Sequence, residues 1–372
     1  MIEENGFREN LAEIESENVY EEWEETLEAI LSAAGTTMIV GGKDVGKTTF
    51  TRLLVNRACS KGLKVALLDA DVGQSEIGPP TCVGLAQIER PIVSFFEASS
   101  HAIAFVGATS PANYSSEHIV AVKKMAELAG DRLLIVDTAG YIQGSGARRL
   151  AHLEFDLINP SHVVGLQRKS ELNPILQGMG HRKNCRIHTP GIPKIIGVKT
   201  PAFRAQRRAM RFASYFQNSV ERSFAFDEVA ITGTWLSGGA PVAAHFFRFI
   251  SETLGRANRL FHAEQSGTHL GLMMSHPISP SSPELGLVME QLNVKELSVT
   301  VAPRLKHLLL GLQDDSGKTL GLGVMSKLDF RRRTLSALTP IETAGAVSGI
   351  RFGRHRTLPD GTDAGSLKPG DC

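Results

Sequence analysis

Apolar positions along residues 9–34 recur mostly three and four apart: Leu11, Ile14, Val19, Trp23, Leu27, Ile30 and Leu31. That is the period of a helix with one buried face, and Gly35 ends it. From Thr37 the pattern changes. Short continuous apolar runs at Thr37–Val40, Val65–Leu68, Ile103–Val106, Leu133–Val136, Val163–Leu166 and Ile195–Val198 predict buried strands, with helices at 47–61 and about 117–129 between them. Strands alternating with helices predict an α/β core with a mainly parallel sheet and helices on both faces. After about residue 225 the runs Val229–Ile231, Leu297–Val301, His307–Gly311 and Leu320–Met325 are separated by Gly- and Pro-containing turns. They predict a smaller β-rich C-terminal domain. The expected organisation is an acidic N-terminal helix at 1–35, an α/β domain at 36–224, a β-rich domain at 225–356 and a flexible tail at 357–372.

Composition narrows the class. The 372 residues are 42% apolar and 21% charged, ordinary for a globular chain with a sizeable core. No apolar run approaches the 18 or so residues of a membrane span, so no membrane partner is expected. The N-terminus is acidic, unlike a secretory signal. Cys59, Cys82, Cys185 and Cys372 lie far apart without a C-x-x-C pair, so a reducing cytoplasm is the expected location. The net charge of +1 hides an asymmetry: residues 1–35 hold eleven Glu and one Arg, whereas residues 166–216 hold eleven Lys and Arg and a single acid, Glu171. Such a basic block is a footprint for phosphate or nucleic acid.

The strongest chemical signal is Gly41-Gly42-Lys43-Asp44-Val45-Gly46-Lys47-Thr48, followed by Thr49. It matches G-x-x-x-x-G-K-[ST] between an apolar strand and a helix, which makes the core a P-loop NTPase. Glycines let backbone amides curl around phosphate oxygens, and the helix N-terminus favours negative charge. Lys47 is expected on the β- and γ-phosphates of ATP and Thr48 on Mg²⁺. Two further runs end in acids: Leu133–Val136 in Asp137, and Val65–Leu68 in Asp69-Ala70-Asp71. At a strand's period of two, Asp69 and Asp71 are expected on one face. Carboxylates beside a triphosphate imply metal binding, assigned to Thr48, Asp69 and Asp137, and general-base work, assigned to Asp71.

Four further segments carry a resemblance. Asp69-Ala-Asp71-Val-Gly73-Gln74 resembles the D-x-D-x-G-Q segment of the polynucleotide 5′-hydroxyl kinase family. That family includes the kinase subunit of the eukaryotic pre-mRNA cleavage complex, the nucleolar pre-rRNA processing kinase and shorter prokaryotic relatives. Gly107-Ala-Thr109-Ser110-Pro111 is similar to its G-x-T-S-P segment, and Asp137-Thr138-Ala-Gly140-Tyr141-Ile-Gln-Gly144 to its T-x-G-W-x-x-G clasp. Arg204, Arg207, Arg208 and Arg211, running into Tyr215-Phe216, resemble its arginine-bearing lid helix. The segments lie in the family's order and cover about residues 36–220.

The resemblance implies ATP-dependent phosphorylation of a 5′-hydroxyl end of nucleic acid, RNA favoured over DNA. Asp71 would accept the hydroxyl proton, and Lys47, Arg207 and Arg211 would absorb charge on the transferring group. Gln74, Thr109, Ser110, Thr138, Gly140, Tyr141 and Arg204 would hold the substrate. The chain departs from the family in having Tyr141 where the clasp commonly has Trp, and an acidic helix in place of a large N-terminal β-domain. That helix is expected either to pack on the core or to dock an RNA-processing partner. Two rival readings stand beside the kinase. One is a GTPase or ATPase switch, suggested by Asp137-Thr-Ala-Gly140 and by Ser326-Lys-Leu-Asp329. The other is an ATP-binding structural subunit of an RNA-processing complex.

Overall fold

The apolar runs of the first half become strands of one sheet in the computed structural model, which describes residues 20–368. The chain divides into two compact units after Ala205. In the first unit the strands are β1 (Thr37–Gly41), β2 (Val65–Asp69), β3 (Cys82–Ile88), β4 (Ser100–Phe105), β5 (Leu133–Asp137), β6 (His162–Leu166) and β7 (Arg186–His188). Their order is β4-β3-β2-β5-β1-β6-β7. The pairs from β2 to β7 are parallel; β3 and β4 add an antiparallel edge. The helices are α1 (Glu21–Ser32), α2 (Lys47–Ser60), α3 (Ser115–Glu127), α4 (Gly144–Ile158) and α5 (Asn173–Met179), with α6 (Pro201–Phe216) running across the division.

Period-two alternation along β1 explains why both faces are covered. Ile39 packs with Trp23, Leu27 and Ile30 of α1 and Phe50 and Leu54 of α2. Met38 and Val40 point the other way, onto Ala151 and Phe155 of α4 and Ile175 and Leu176 of α5. The described part of the acidic helix is therefore a packed core element. Trp23 meets Phe50 edge-on with ring centroids 5.3 Å apart, and its indole N–H donates to Gly191 O at 2.7 Å. Glu24 pairs with Arg57 of α2. Residues 9–19 of the expected helix lie outside the described residues.

Two expectations for this half need correction. Ile195–Val198 forms no strand. Between Pro190, Pro193 and Pro201 the chain lacks regular donors, Ile195 and Val198 stay exposed, and only Ile192 and Ile196 pack against the core. The strand after β6 is instead the short β7. Strand β3 had no expected counterpart; its Gly84 and Gln87 interrupt the apolar run.

The second unit is β-rich, as read from the turn-punctuated runs, and holds two sheets. Its strands are β8 (Val220–Ala225), β9 (Ala230–Thr232), β10 (Ala240–Pro241), β11 (Leu260–Ser266), β12 (His269–Met274), β13 (Glu296–Val301), β14 (Leu308–Gln313), β15 (Thr319–Asp329), β16 (Thr334–Thr339), β17 (Gly349–Thr357) and β18 (Asp363–Ser366). One sheet runs β18-β17-β14-β15-β16-β8, with β9 on β17. The other runs β10-β11-β12-β13 and is backed by α7 (Ala244–Leu254) and α8 (Pro283–Gln291), whose Ile250, Leu254, Leu285 and Val288 join its core. The expected boundary at 224 falls inside this unit, because β8 pairs with β16. The expected flexible tail is ordered as far as residue 368. Thr357 ends β17, Asp360 Oδ1 accepts the Thr362 N–H at 2.9 Å to close a turn, and β18 returns along β17. Asp329, the residue behind the guanine-specificity reading, caps its own hairpin by accepting the N–H groups of Arg331 and Arg332 at 3.1 Å.

Candidate functional site

Parallel pairing brings the C-terminal ends of β2, β5, β1 and β6 to one edge of the first unit, where α/β sheets bind ligands. In register, Asp137 lies beside Ile39 on one side and Asp69 on the other. The loop from Gly41 to Gly46 rises from β1. A Cβ at Gly41 would meet Val45 at 2.7 Å and Leu166 O at 2.8 Å, and Gly46 takes a left-handed φ of 88° before α2 begins at Lys47. Val45 is buried in the core, so what it offers a phosphate is its backbone N–H. Lys47 is buried, and its Nζ donates to Gly42 O at 2.8 Å across the mouth of the loop. Lys43 is exposed, while Asp44 and Thr49 are half-buried.

Thr48 and Asp137 form the polar centre. The Thr48 hydroxyl donates to Asp137 Oδ2 at 2.9 Å. Asp137 Oδ1 is buried and accepts no hydrogen bond from a described residue. Burial pushes this carboxyl up to about 7, against Lys47 and the Thr48 hydroxyl, which both favour the anion. An orphaned buried acceptor beside a hydroxyl is a pair of hard oxygen donors, which suits Mg²⁺. Among the described residues no group of three or more His, Cys, Asp and Glu side chains forms a metal cage. A Mg²⁺ ion that keeps waters and takes phosphate oxygens needs none.

Asp69 does not share this role. Strand β2 stops at Asp69, so the period of two no longer aligns it with Asp71. The Asp69 carboxylate accepts from Asp71 N at 3.0 Å, Glu76 N at 2.5 Å, Ile77 N at 3.0 Å and the Ser75 hydroxyl at 3.2 Å. It organises its own loop, and its oxygens are committed. Burial first, then the neighbouring Asp137, pushes it up to about 8, while the backbone donors favour the anion. The loop it builds presents Asp71. There Oδ1 accepts the N–H groups of Gly73 and Gln74 at 3.0 Å each, which fixes the carboxylate and leaves Oδ2 outside those bonds.

Other expected substrate residues divide. Gly140 lies against the loop, since a Cβ there would come 3.1 Å from Lys43 Cγ. Tyr141 folds its hydroxyl toward Gly146 in the first turn of α4, 2.9 Å from where a Cβ would stand. Gly73 has Thr109 O against it, 2.6 Å from the place of a Cβ. Ser110 caps the short turn after it by accepting Ala112 N–H at 3.3 Å. Thr138 is buried and donates its hydroxyl to Ile39 O at 2.8 Å, linking the end of β5 to β1. Arg204 also works within the protein. Its guanidinium bonds Asp44 Oδ2 at 2.9 Å, and its carbonyl accepts from Gln74 Nε2 at 3.1 Å. These two contacts tie the start of α6 to both the phosphate loop and the Asp71 loop.

Arg207 and Arg211 lie further along α6, in the second unit. Arg168 was legible only as one charge in the basic block. It follows β6, next to β1 in the sheet, and its guanidinium donates to Asp44 O at 2.9 Å and Ile196 O at 3.1 Å. Behind Ile142, which lies over Gly42, a cavity of about 360 Å³ is lined by Ile142, Ser145, Arg148, Glu171, Pro174 and Ile175.

A P-loop on a mainly parallel sheet, with a hydroxyl–carboxylate pair at its foot and a second, fixed carboxylate nearby, is the arrangement of a nucleotide-binding P-loop protein. Comparisons with known proteins narrow the class. The family model for the P-loop of the mRNA cleavage and polyadenylation factor CLP1 matches residues 41–218. The chain is 31% identical to a polyribonucleotide 5′-hydroxyl-kinase of Pyrococcus abyssi over 341 residues, covering 89% of this chain and 90% of that one. It is 30% identical to its namesake in Methanocaldococcus jannaschii over 334 residues, 89% of each. Among solved structures, Clp1p in the wild-type Clp1p–Pcf11p complex aligns with a TM-score of 0.57 at 14% identity, over 89% of this chain and 77% of that one. That last likeness is one of fold. The chain belongs to the polynucleotide 5′-hydroxyl kinase family that joins these archaeal proteins with CLP1.

Proposed function

We propose that this chain transfers the γ-phosphoryl group of ATP to the 5′-hydroxyl end of a polynucleotide, RNA in preference to DNA. The reading is supported by the kinase relatives, which match along about nine-tenths of both chains. The observation that carries it is Asp71, with one carboxylate oxygen fixed by two backbone N–H groups at the strand edge that also holds the phosphate loop. The other carboxylate oxygen takes the proton of the 5′-hydroxyl while the 5′ oxygen bonds to the γ-phosphorus and the bond from that phosphorus to the β,γ-bridging oxygen breaks, releasing ADP. Lys47 leaves Gly42 O for the β- and γ-phosphates. Thr48 and Asp137 would hold Mg²⁺, which supplies neutralisation of phosphate charge. Arg207 and Arg211 act as the lid, meeting charge that develops on the transferring group.

The substrate strand is proposed to follow Gly140 and Tyr141 toward the cavity behind Ile142, with basic residues of 166–216 along its backbone. The exposed acids Glu21, Glu22, Glu25 and Glu28 of α1 are the proposed docking face for an RNA-processing partner, the apolar face being spent on the core. The cytoplasm is the proposed setting, in keeping with the free thiols of Cys59, Cys82 and Cys185.

The test is transfer of label from γ-labelled ATP to short 5′-hydroxyl RNA and DNA oligonucleotides. Expected is transfer by the wild type, greater to RNA, lost in Lys47→Ala and in Asp71→Asn, with ATP binding largely kept in Asp71→Asn. Tight ATP binding without transfer would favour the structural-subunit reading, and GTP hydrolysis without transfer a switch. Equal loss of binding and transfer in Asp71→Asn would remove it as the base.

A further inference from the structure

The C-terminal hairpin grips the arginine helix. Its turn lies between Thr357, where β17 ends, and Asp363, where β18 begins. Gly361, in a left-handed conformation with φ of 85°, brings its Cα against the helix backbone: a Cβ there would stand 1.9 Å from Ala209 O and 2.6 Å from Ala209 C. No side chain can occupy that gap. Asp363 approaches Arg208 at 3.7 Å. On β17 the ring of His355 stacks on Phe212, centroids 5.6 Å apart at 17°. One turn further on, Phe216 is buried and the Tyr215 hydroxyl accepts the Leu322 N–H of β15 at 2.7 Å.

The contacts of Ala209, Phe212 and Phe216 fall on one side of the helix, while Tyr215 continues the row of Arg207 and Arg211. At about 100° per residue, Ala209, Phe212 and Phe216 group together, and Arg207 and Arg211 lie roughly 150° round the axis. A helix held by side chains alone can roll as rotamers change. One whose backbone carbonyl is packed against another backbone is fixed in rotation, because neither surface can give.

We propose that the hairpin is the positioning element of the lid, with Gly361 as the residue that sets the rotation of residues 206–216 and so the direction of Arg207 and Arg211. The proposal rests on the reading of α6 as a lid under Proposed function. It assigns the C-terminal hairpin a part in catalysis without contact with substrate.

The experiment compares full-length wild type, Gly361→Ala and Asp363→Lys, each also combined with Arg211→Ala. Asp363→Lys changes an exposed side chain and guards against loss of folding in the glycine variant. Expected is a kcat at least tenfold lower in Gly361→Ala and several-fold lower in Asp363→Lys, with KM for ATP within twofold and recovery in Asp363→Glu. In the Arg211→Ala background each change should lower kcat by less than it does in the wild type, since one of the two arginines through which they act is gone. An unchanged kcat, or effects that multiply fully with Arg211→Ala, would overturn the proposal. Hydrogen exchange over residues 206–216 reads the contact whatever the activity. Protection should fall there in Gly361→Ala, and unchanged protection would also overturn it. Absence of transfer by the wild type would count against the kinase reading alone.

Discussion

His355 gives the hairpin a measurable dependence on acid. Its ring is almost wholly buried, 2% exposed, under Phe212, with Nδ1 3.4 Å from the Ser366 hydroxyl. Burial lowers its pKa from the ordinary imidazole value of 6.5 to about 4; Arg208 pushes the same way and Asp363 opposes. The folded value lies below the unfolded one, so the unfolded chain takes up a proton as pH falls through 6.5 while the folded chain stays neutral. Stability conferred by the neutral ring is therefore full above about pH 7 and is lost as pH falls from 6.5 toward 4. Full titration corresponds to about 3 kcal/mol and pH 5 to about 2 kcal/mol. His355→Phe keeps a ring over Phe212 and removes the titration. Its stability should match the wild type within about 1 kcal/mol at pH 7.5 and exceed it by about 2 kcal/mol at pH 5, roughly 4–8 °C in Tm for a unit of this size. Thermal and urea unfolding at both pH values, followed by far-ultraviolet circular dichroism, read this difference directly. Other groups titrate in both proteins and cancel in the comparison. Parallel loss of stability in wild type and variant would refute the assignment to His355.

Further outcomes are expected elsewhere. Asp137→Asn can keep the Thr48 hydrogen bond while removing a buried charge, so the free variant should be at least as stable as wild type at pH 8. It should lose the extra thermal stabilisation that MgATP gives over ATP with a chelator, and equal stabilisation by both would take Asp137 out of the cation site. Gly84→Ala places a Cβ 2.1 Å from Ile77 O and should cost about 1–3 kcal/mol by overpacking. The cost should appear in urea unfolding together with weaker transfer, because Ile77 belongs to the loop that presents Asp71. Arg211→Ala should lower kcat more than it raises KM for ATP, as a contact needed mainly in the transition state does; a change in KM alone would make it a binding residue. Affinity for a 5′-hydroxyl RNA should fall steeply between 50 and 200 mM salt if residues 166–216 follow its backbone, and a flat response in a filter-binding titration would move the RNA elsewhere.

The phosphate loop was legible in the sequence because its chemistry is local. Eight consecutive residues set their own backbone path, and the strand before them and the helix after them announce themselves by period. Asp137 was legible for the same reason, as an acid ending an apolar run. The division into an α/β part and a β-rich part could be seen in the change from helix-spaced to turn-punctuated apolar runs. The two helices of the second unit could not, because α7 and α8 lie among strands of similar apolar content.

What the tertiary structure alone decided is which polar atoms are already spent. Asp69 and Asp71 look alike in sequence, yet one carboxylate is consumed by four donors of its own loop and the other keeps a free oxygen. The Thr138 hydroxyl donates to Ile39 O and one nitrogen of the Arg204 guanidinium bonds Asp44, partners that residue type alone did not announce. Arg168 reaches Asp44 across 124 positions of sequence, which only the adjacency of β6 and β1 brings about. Gly361, in a stretch composed like a loose tail, became the point where two backbones touch. Residue type fixes what a side chain can bond, and local pattern fixes the strand or helix that carries it. Hydrogen bonds are satisfied one partner at a time, so whether a group remains available for a ligand depends on neighbours that the fold brings from elsewhere in the chain.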